Sequence, residues 1–209
     1  MSEHDKKREM IIDCAMKRFS HFGIQKTTMN EIAEDIAVSQ PSLYYYFPDK
    51  TSLIIAVIEK IAGDYIKELA MMLQNSSGLK QVFLKIIQVR KEFVRKYFVL
   101  HLTDAAAATT IKENCDDILK AAGATELKLL TEEISAAAGR KEITVKDPEK
   151  IANIFLDTLT GLSMFVLSKA PNQLVLREGD LDLTAEKQQE VADLFLKGLR
   201  APTTHPCNI

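Results

Sequence analysis

The sequence is poor in the residues that end helices and form tight turns. Its 209 residues include 8 glycines and 6 prolines, while apolar residues account for 46% of the total. Glycine and proline supply much of the turn chemistry that a β-rich fold needs, so their scarcity favours long helices. The apolar content is ample for a core, and the length allows one large domain or two small ones.

The long apolar segments of membrane and secreted proteins are absent too. No apolar run approaches the roughly 20 residues of a transmembrane helix, and the first ten residues, MSEHDKKREM, lack the apolar core of a signal peptide. Cys14, Cys115 and Cys207 form no CxxC motif, which favours reduced thiols over a disulfide framework or a zinc site. These features predict a cytoplasmic protein.

Motifs of catalysis are missing as well. The sequence contains no HExxH, GxSxG, P-loop or GxGxxG pattern, and its four histidines lie far apart. We therefore predict no enzyme, no catalytic residue, no metal site and no cofactor. The alternative is an enzyme or carrier that uses a helical bundle as a small-molecule site, which turnover of a bound compound would reveal.

The most informative segment covers residues 27–53, TTMNEIAEDIAVSQPSLYYYFPDKTSL. Thr28 and Glu31 have the spacing of a capping box at a helix start. After a short turn, Ser39 can cap a second helix, and Pro41 in its first turn has no N–H to leave unpaired. Two short helices joined by a tight turn are typical of a helix-turn-helix motif.

The second of these helices has a largely polar surface. Leu43 and Phe47 are its apolar anchors, while Tyr44, Tyr45 and Tyr46 point in three directions around the helix. Exposed Gln, Ser and Tyr side chains can reach base edges and phosphates in a major groove. Alternatively, this is a short polar helix whose tyrosines pack sideways on their neighbours, and spacing alone does not separate the two interpretations.

Sixteen residues of this region match a known pattern in one register without gaps. They are Phe19, Gly23, Thr27, Thr28, Met29, Ile32, Ala33, Val38, Ser39, Leu43, Tyr44, Tyr45, Tyr46, Phe47, Lys50 and Leu53. The pattern, over about a quarter of the chain, closely resembles that of the TetR family of bacterial transcriptional repressors. One position departs from it: the family usually has glycine, which adopts positive φ at low cost, where this chain has Ala37.

With this resemblance, we predict sequence-specific binding to double-stranded operator DNA. The predicted DNA-binding residues are Thr28, Gln40, Pro41, Ser42, Tyr44, Tyr46 and Lys50. Charge argues weakly the other way, because the net charge is −2 and residues 1–53 contain seven Lys or Arg against eight Asp or Glu. If the basic residues lie on one face, and a dimer doubles their number, DNA binding is compatible with this charge count.

Helical periodicity predicts an all-α protein throughout. We predict two domains. Residues 1–50 form a three-helix DNA-binding domain that contains the helix-turn-helix. A long helix links it to residues 51–209, a helical bundle that binds the effector and dimerises. The predicted helices are 6–22, 28–36, 39–47, one from Asp49 to about Asn75, 79–102, 105–111, 114–138 with a possible interruption at Gly123, 148–170 and one capped by Thr184 at 185–199. Residues 172–183 are predicted to form a loop.

The helix predicted at 148–170 is apolar on nearly all sides and must therefore be covered twice. In the TetR family the last two long helices pair across a two-fold axis. The resemblance thus implies a homodimer through residues 148–170 and 185–199.

A small-molecule effector site is predicted in the second domain. Its candidate residues, aromatic and apolar with a few polar groups, are Arg90, Phe93, Tyr97, His101, Phe155, Thr158, Leu159 and Leu162. Arg90 is suited to hold an anionic head group if it faces a cavity. In the alternative interpretation, the aromatics fill the core and Arg90 extends to solvent.

The predicted function is that of a repressor released from a pseudo-palindromic operator by a small apolar or amphipathic ligand. Ligand and operator would then weaken each other's binding equally, because coupling between two sites is reciprocal. The rival hypothesis is a helical-bundle module for small molecules or proteins whose DNA affinity has been weakened.

Overall fold

A computed structural model describes residues 2–74, 76–101, 105–168 and 178–200. Within these ranges the chain forms α-helices joined by short connections. The helices are α1 Glu3–Phe22, α2 Met29–Asp35, α3 Gln40–Tyr46, α4 Lys50–Leu73, α5 Leu79–His101, α6 Ala105–Gly139, α7 Pro148–Ser168 and α8 Glu178–Leu199. The all-α prediction is confirmed. Residues 172–177 of the predicted loop lie outside the described residues, and the prediction is wrong for residues 178–183, which belong to α8.

No helix in the described part of the chain is long and apolar enough to cross a membrane.

The first helix starts earlier than its apolar pattern predicts, at Glu3 instead of residue 6. Ser2 caps it: the Asp5 N–H donates to the Ser2 hydroxyl at 3.1 Å, and the Asp5 carboxylate accepts from the Ser2 N–H at 3.0 Å. This reciprocal pairing satisfies two backbone donors at the helix start. At the other end Gly23 stops α1 with φ of 85°, as predicted.

Two predictions about the later helices are wrong. The two helices expected between residues 105 and 138 form the single helix α6, which passes through Gly123 without a break. A mid-helix glycine costs only about 1 kcal/mol, and the rest of a 35-residue helix outweighs it. Thr184 does not cap α8, which begins at Glu178; its hydroxyl instead donates to the Asp180 carbonyl one turn earlier, at 2.7 Å.

The chain divides into two compact units. The N-terminal unit consists of Met1–Ile66 and Phe93–Ala122, and the C-terminal unit consists of Lys67–Glu92 and Gly123–Ile209. This division follows packing and falls inside α4, α5 and α6. The functional boundary near residue 50 is a different kind of division and stays a prediction.

A single apolar core organises the N-terminal unit. It contains Phe19 of α1, Ile32 of α2, Leu43 of α3 and Leu53 of α4, all fully buried. Tyr97 of α5 is part of the same core. The helix-turn-helix is therefore packed against residues that lie more than 40 positions away in the sequence.

The core of the C-terminal unit is built around stacked aromatic rings. Phe83 of α5 and Phe155 of α7 lie parallel with their centroids 4.0 Å apart, and Phe195 of α8 meets Phe155 edge-on at 5.3 Å. Buried Gln188 joins α8 to α7, because its side-chain amide donates to the Leu159 carbonyl at 2.9 Å. α7 and α8 are thus held by both apolar packing and a buried polar contact.

Ala37 occupies the turn with a positive φ of 53°. This is the position at which the family pattern has glycine, and an L-residue with a Cβ is strained there by about 1–2 kcal/mol. We expect Ala37→Gly to stabilise the protein by about 0.5–1 kcal/mol. Glycine relieves the strain, and this gain is partly offset because glycine raises the entropy of the unfolded chain. Urea unfolding followed by circular dichroism would measure this.

The matched control is Ala136→Gly, at an exposed position inside α6. There the same substitution should destabilise the protein by about 0.5–1 kcal/mol. Equal effects at the two positions would show that the turn at Ala37 carries no strain.

Candidate nucleic-acid interface

The helix-turn-helix is shaped by local hydrogen bonds. At the start of α2 the Thr28 hydroxyl accepts from the Glu31 N–H at 3.2 Å, and the Thr28 N–H donates to the Glu31 carboxylate at 2.7 Å. At the start of α3 the Ser39 hydroxyl accepts from the Ser42 N–H at 3.3 Å. Both predicted caps are confirmed, so the ends of α2 and α3 are set by the sequence next to them.

The outer surface of α3 carries the predicted base-reading side chains. Leu43 and Phe47 are buried in the core, which leaves Gln40, Pro41 and Tyr44 exposed to solvent. Ser42 is half-buried, and its backbone N–H is occupied by the Ser39 cap. The helix therefore presents donors, acceptors and a ring of the kinds that contact base edges in a major groove.

The three tyrosines have different environments. Tyr44 is 42% exposed and Tyr45 is 75% exposed. Tyr46 is half-buried, and its ring lies 4.8 Å from the ring of His4 and 5.3 Å from that of Tyr45. Sideways packing thus describes Tyr46, whereas Tyr45, which the predicted set omits, offers more ring surface than Tyr44.

Thr28 and Lys50 both interact with Glu31. The Thr28 hydroxyl bonds the Glu31 carboxylate at 2.9 Å, and the charge of Glu31 also acts on Lys50. Partial burial lowers the pKa of Lys50, and Glu31 opposes that shift. Hydrogen bonds from Thr28 hold the pKa of Glu31 below its usual value. Glu31 thus accepts hydrogen bonds from Thr28 and acts on Lys50 through its charge.

An ion-pair cluster fixes α2 against α1. The Arg18 Nε lies 2.5 Å from an Asp35 carboxylate oxygen, and its Nη2 lies 3.1 Å from the other. A third nitrogen, Nη1, is 3.4 Å from Glu31. The Arg18 hydrogen bond is the main cause of the lowered pKa of Asp35. A bidentate pair also fixes direction, so this contact helps to orient the motif.

Internal pairing accounts for much of the acidic charge that weighed against DNA binding. Glu31 and Asp35 pair with Arg18, and Lys60, which lies beyond residue 53, pairs with Glu9 at 3.0 Å and Asp13 at 3.6 Å. These four acidic side chains are thus paired with two basic ones, while the net charge of residues 1–53 is −1. Whether the basic residues line one face stays a prediction.

The predicted effector residues belong to both packing units. Phe93, Tyr97 and His101 fall in the N-terminal unit; the His101 side chain lies outside the described part. In the C-terminal unit, Phe155 and Leu159 are core residues. The remaining members of the set in that unit are Arg90, Thr158 and Leu162. Their role in binding an effector stays a prediction.

Arg90 has a protein partner within the C-terminal unit. Its Nε and Nη2 lie 2.9 and 2.8 Å from the two carboxylate oxygens of Glu126, and its Nη1 donates to the Thr160 hydroxyl at 3.1 Å. The side chains of Arg90 and Glu126 are 21% and 7% exposed. This contact joins α5, α6 and α7, and the sequence offered no signal for it because the residues are 36 and 70 positions apart.

An exposed apolar surface runs along α7 and α8. Its large side chains are Ile154, Met164, Phe165, Leu183 and Leu194. Large exposed apolar side chains on two helices that pack together are candidates for an interaction site. Phe195, in contrast, packs on Phe155 in the protomer's own core.

Comparison with known proteins agrees with this geometry. Residues 11–57 match the family described as bacterial regulatory proteins, tetR family. IcaR of Staphylococcus aureus, the HTH-type negative transcriptional regulator of the biofilm operon icaADBC, is 29% identical over 117 residues, which cover 53% of this chain and 62% of IcaR. RutR, an HTH-type transcriptional regulator of Escherichia coli, is 33% identical over 91 residues, or 44% and 42% of the two chains. The matches thus span less than two thirds of these curated relatives.

Solved structures share the fold over nearly the whole chain. A transcriptional regulator from Cytophaga hutchinsonii superposes with a TM-score of 0.79 at 28% identity, covering 93% of this chain and 99% of that one. A putative transcriptional regulator from Saccharomonospora viridis in complex with choline gives a TM-score of 0.72 at 14% identity, covering 90% and 96%. The second likeness concerns the fold alone.

Fold and surface define an all-α protein with a helix-turn-helix near its N-terminus and a helical domain after it. Residues 11–57 are similar to the tetR family of bacterial regulatory proteins, and the fold of nearly the whole chain is similar to that of a solved transcriptional regulator.

Proposed function

We propose that this protein is a transcriptional regulator that binds operator DNA through α3. The observation that carries the proposal is the polar face of α3, with Gln40 and Tyr44 exposed, on a helix anchored by buried Leu43. The Arg18–Asp35 pair holds the neighbouring helix α2 in place. IcaR and RutR, both named as HTH-type transcriptional regulators, support the same function for this fold.

The DNA-binding residues divide by role. Gln40, Ser42 and Tyr44, with Pro41 among them, are proposed to face the bases. Thr28, Tyr46 and Lys50 are proposed to lie nearer the phosphates, and the interactions of both Thr28 and Lys50 with Glu31 support grouping those two. Phosphate contacts position a protein on DNA, whereas base contacts select the sequence.

We propose that the protein binds operator DNA as a two-fold symmetric homodimer. The exposed apolar surface on α7 and α8, which includes Phe165 and Leu194, supports pairing with the same surface of a second copy. Two symmetric recognition helices require two half-sites about 34 Å apart or a multiple of that distance. The operator is therefore expected to be pseudo-palindromic.

Release by a small molecule completes the proposal. The repressor role follows IcaR, which is named a negative transcriptional regulator. The choline complex of the Saccharomonospora viridis regulator supports a small-molecule site in this fold. An apolar or amphipathic effector that prefers the conformation with wrongly spaced recognition helices would weaken operator binding by its differential affinity for the two states.

Substitutions of a base-contacting residue and of a phosphate-contacting residue should change DNA binding in different ways. Gln40→Ala should cost about 1–3 kcal/mol at one base pair of the operator and relax preference there. Lys50→Ala should weaken binding to all sequences alike and reduce the salt slope by about 0.9 for each phosphate that the lysine neutralises in the wild type. Sequence selection from random DNA, followed by shift assays at several salt concentrations, measures both.

The control is Glu132→Gln, an exposed position on α6 outside the helix-turn-helix and the proposed dimer helices, which should leave affinity and salt slope unchanged. Identical behaviour of Gln40→Ala and Lys50→Ala on operator and random DNA would contradict the division of roles. Failure of the wild type to bind any selected DNA would favour the rival interaction module.

A further inference from the structure

The hydroxyl of Tyr97 is buried without a hydrogen-bond partner. The residue is 3% exposed, and its oxygen has no donor or acceptor within reach in the described structure. Nearly all buried polar groups are paired, and each exception calls for an explanation. An unpaired hydroxyl costs free energy that phenylalanine at the same place would not.

The surroundings of this ring are aromatic and apolar. The Tyr97 ring lies 5.5 Å from the ring of Phe93, which meets the ring of Tyr65 at 5.2 Å. The Lys96 ammonium lies over this ring, 5.1 Å from its centre.

Tyr97, whose hydroxyl is unpaired, lies in the core that supports the helix-turn-helix. Its side chain belongs to the same core as Ile32 of α2 and Leu43 of α3. Interiors are close-packed, so a group that enters beside Tyr97 must move its neighbours. A compound bound there would act on the packing of the helix-turn-helix from within its own unit.

We propose that Tyr97 donates a hydrogen bond to an oxygen acceptor of the effector, whose apolar or aromatic body lies against Phe93 and Tyr65. The effector class is therefore an aromatic or apolar compound with a carbonyl-type oxygen, rather than a pure hydrocarbon. This inference rests on the proposed release by a ligand and adds to it the chemistry of recognition. Phenylalanine would fill the same space, so the hydroxyl is explained by the liganded state.

The test compares two probes of similar shape, acetophenone, which has a carbonyl oxygen, and cumene, which has none. Their dissociation constants are measured by calorimetry on the wild type and on Tyr97→Phe. Acetophenone should bind the wild type about three- to tenfold more tightly than cumene, the worth of one hydrogen bond. In Tyr97→Phe the ratio should fall to about one. Tyr45→Phe, which removes a hydroxyl from an exposed ring on α3, should keep the wild-type ratio.

Stability without a probe gives a second readout. If the hydroxyl is unpaired in the free protein, Tyr97→Phe should raise the urea midpoint. A lower midpoint would mean that an internal water already pairs the hydroxyl, and this would overturn the inference. So would a ratio that persists in Tyr97→Phe, or failure of both probes to bind.

The operator shift assay separates this inference from the proposed function. If the wild type binds operator DNA but the ratio of probe affinities does not depend on Tyr97, the inference is contradicted and the proposed function is not. Wild-type protein that binds no DNA contradicts the proposed function, whatever the probes do.

Discussion

Glu126→Gln is expected to destabilise the protein by about 3 kcal/mol. The substitution leaves the Arg90 guanidinium, 21% exposed, without the carboxylate that it contacts through two nitrogens. Removing one partner of a buried ion pair costs about 3–5 kcal/mol, because the other charge stays desolvated and uncompensated. We place the effect at the lower end because Arg90 keeps some contact with water. Urea unfolding followed by circular dichroism measures it.

Two controls separate burial from charge. Asp193→Asn breaks the pair between Lys80 and Asp193, whose side chains are 63% and 51% exposed, and should cost less than about 1 kcal/mol. The double variant Arg90→Met with Glu126→Leu replaces both charges and should recover much of the stability. Equal destabilisation in Glu126→Gln and Asp193→Asn would contradict the special role of the buried pair.

The exposed surface of α7 and α8 leads to the second large effect. Leu194→Glu is expected to convert a dimer into a folded monomer, because Leu194 is 64% exposed within the protomer and a charge there would be buried only in the dimer. Loss of one of two linked recognition helices should weaken operator binding by about a hundredfold or more. Sedimentation and the shift assay measure the two outcomes.

The matched control is Met71→Glu, an exposed apolar side chain on α4, which should leave the protein dimeric. Phe195→Asp would be a poor test, since Phe195 packs on Phe155 in the protomer's own core. Wild-type protein that sediments as a monomer at micromolar concentration would refute the dimer proposal. A dimeric Leu194→Glu with full DNA affinity would place the interface elsewhere.

Local signals placed the helix-turn-helix correctly. The caps at Thr28 and Ser39 are formed as their spacing predicts, and Ala37 has the positive φ that the family pattern implies. These features involve residues within three or four positions of one another. Their energetics are therefore contained in a short piece of sequence.

Local signals failed where a longer helix overrode them. The sequence predicts a possible break at Gly123 and a cap at Thr184, yet both residues lie inside helices. A hydroxyl can bond the carbonyl one turn back as well as cap a helix, and Thr184 does so. Which of the two occurs depends on packing of the whole helix.

The sequence by itself determined the all-α class, the caps of α2 and α3, and the polar outer face of α3. Only the tertiary structure decided that Arg90 is paired with Glu126, that Lys60 offsets two acids of α1, and that Tyr97 belongs to the core of the helix-turn-helix unit with its hydroxyl unpaired. The physical reason is the distance along the sequence over which each interaction acts. Helix caps and apolar periodicity act over one or two turns, whereas the partner of a buried charge or hydroxyl is chosen by which distant helices pack together.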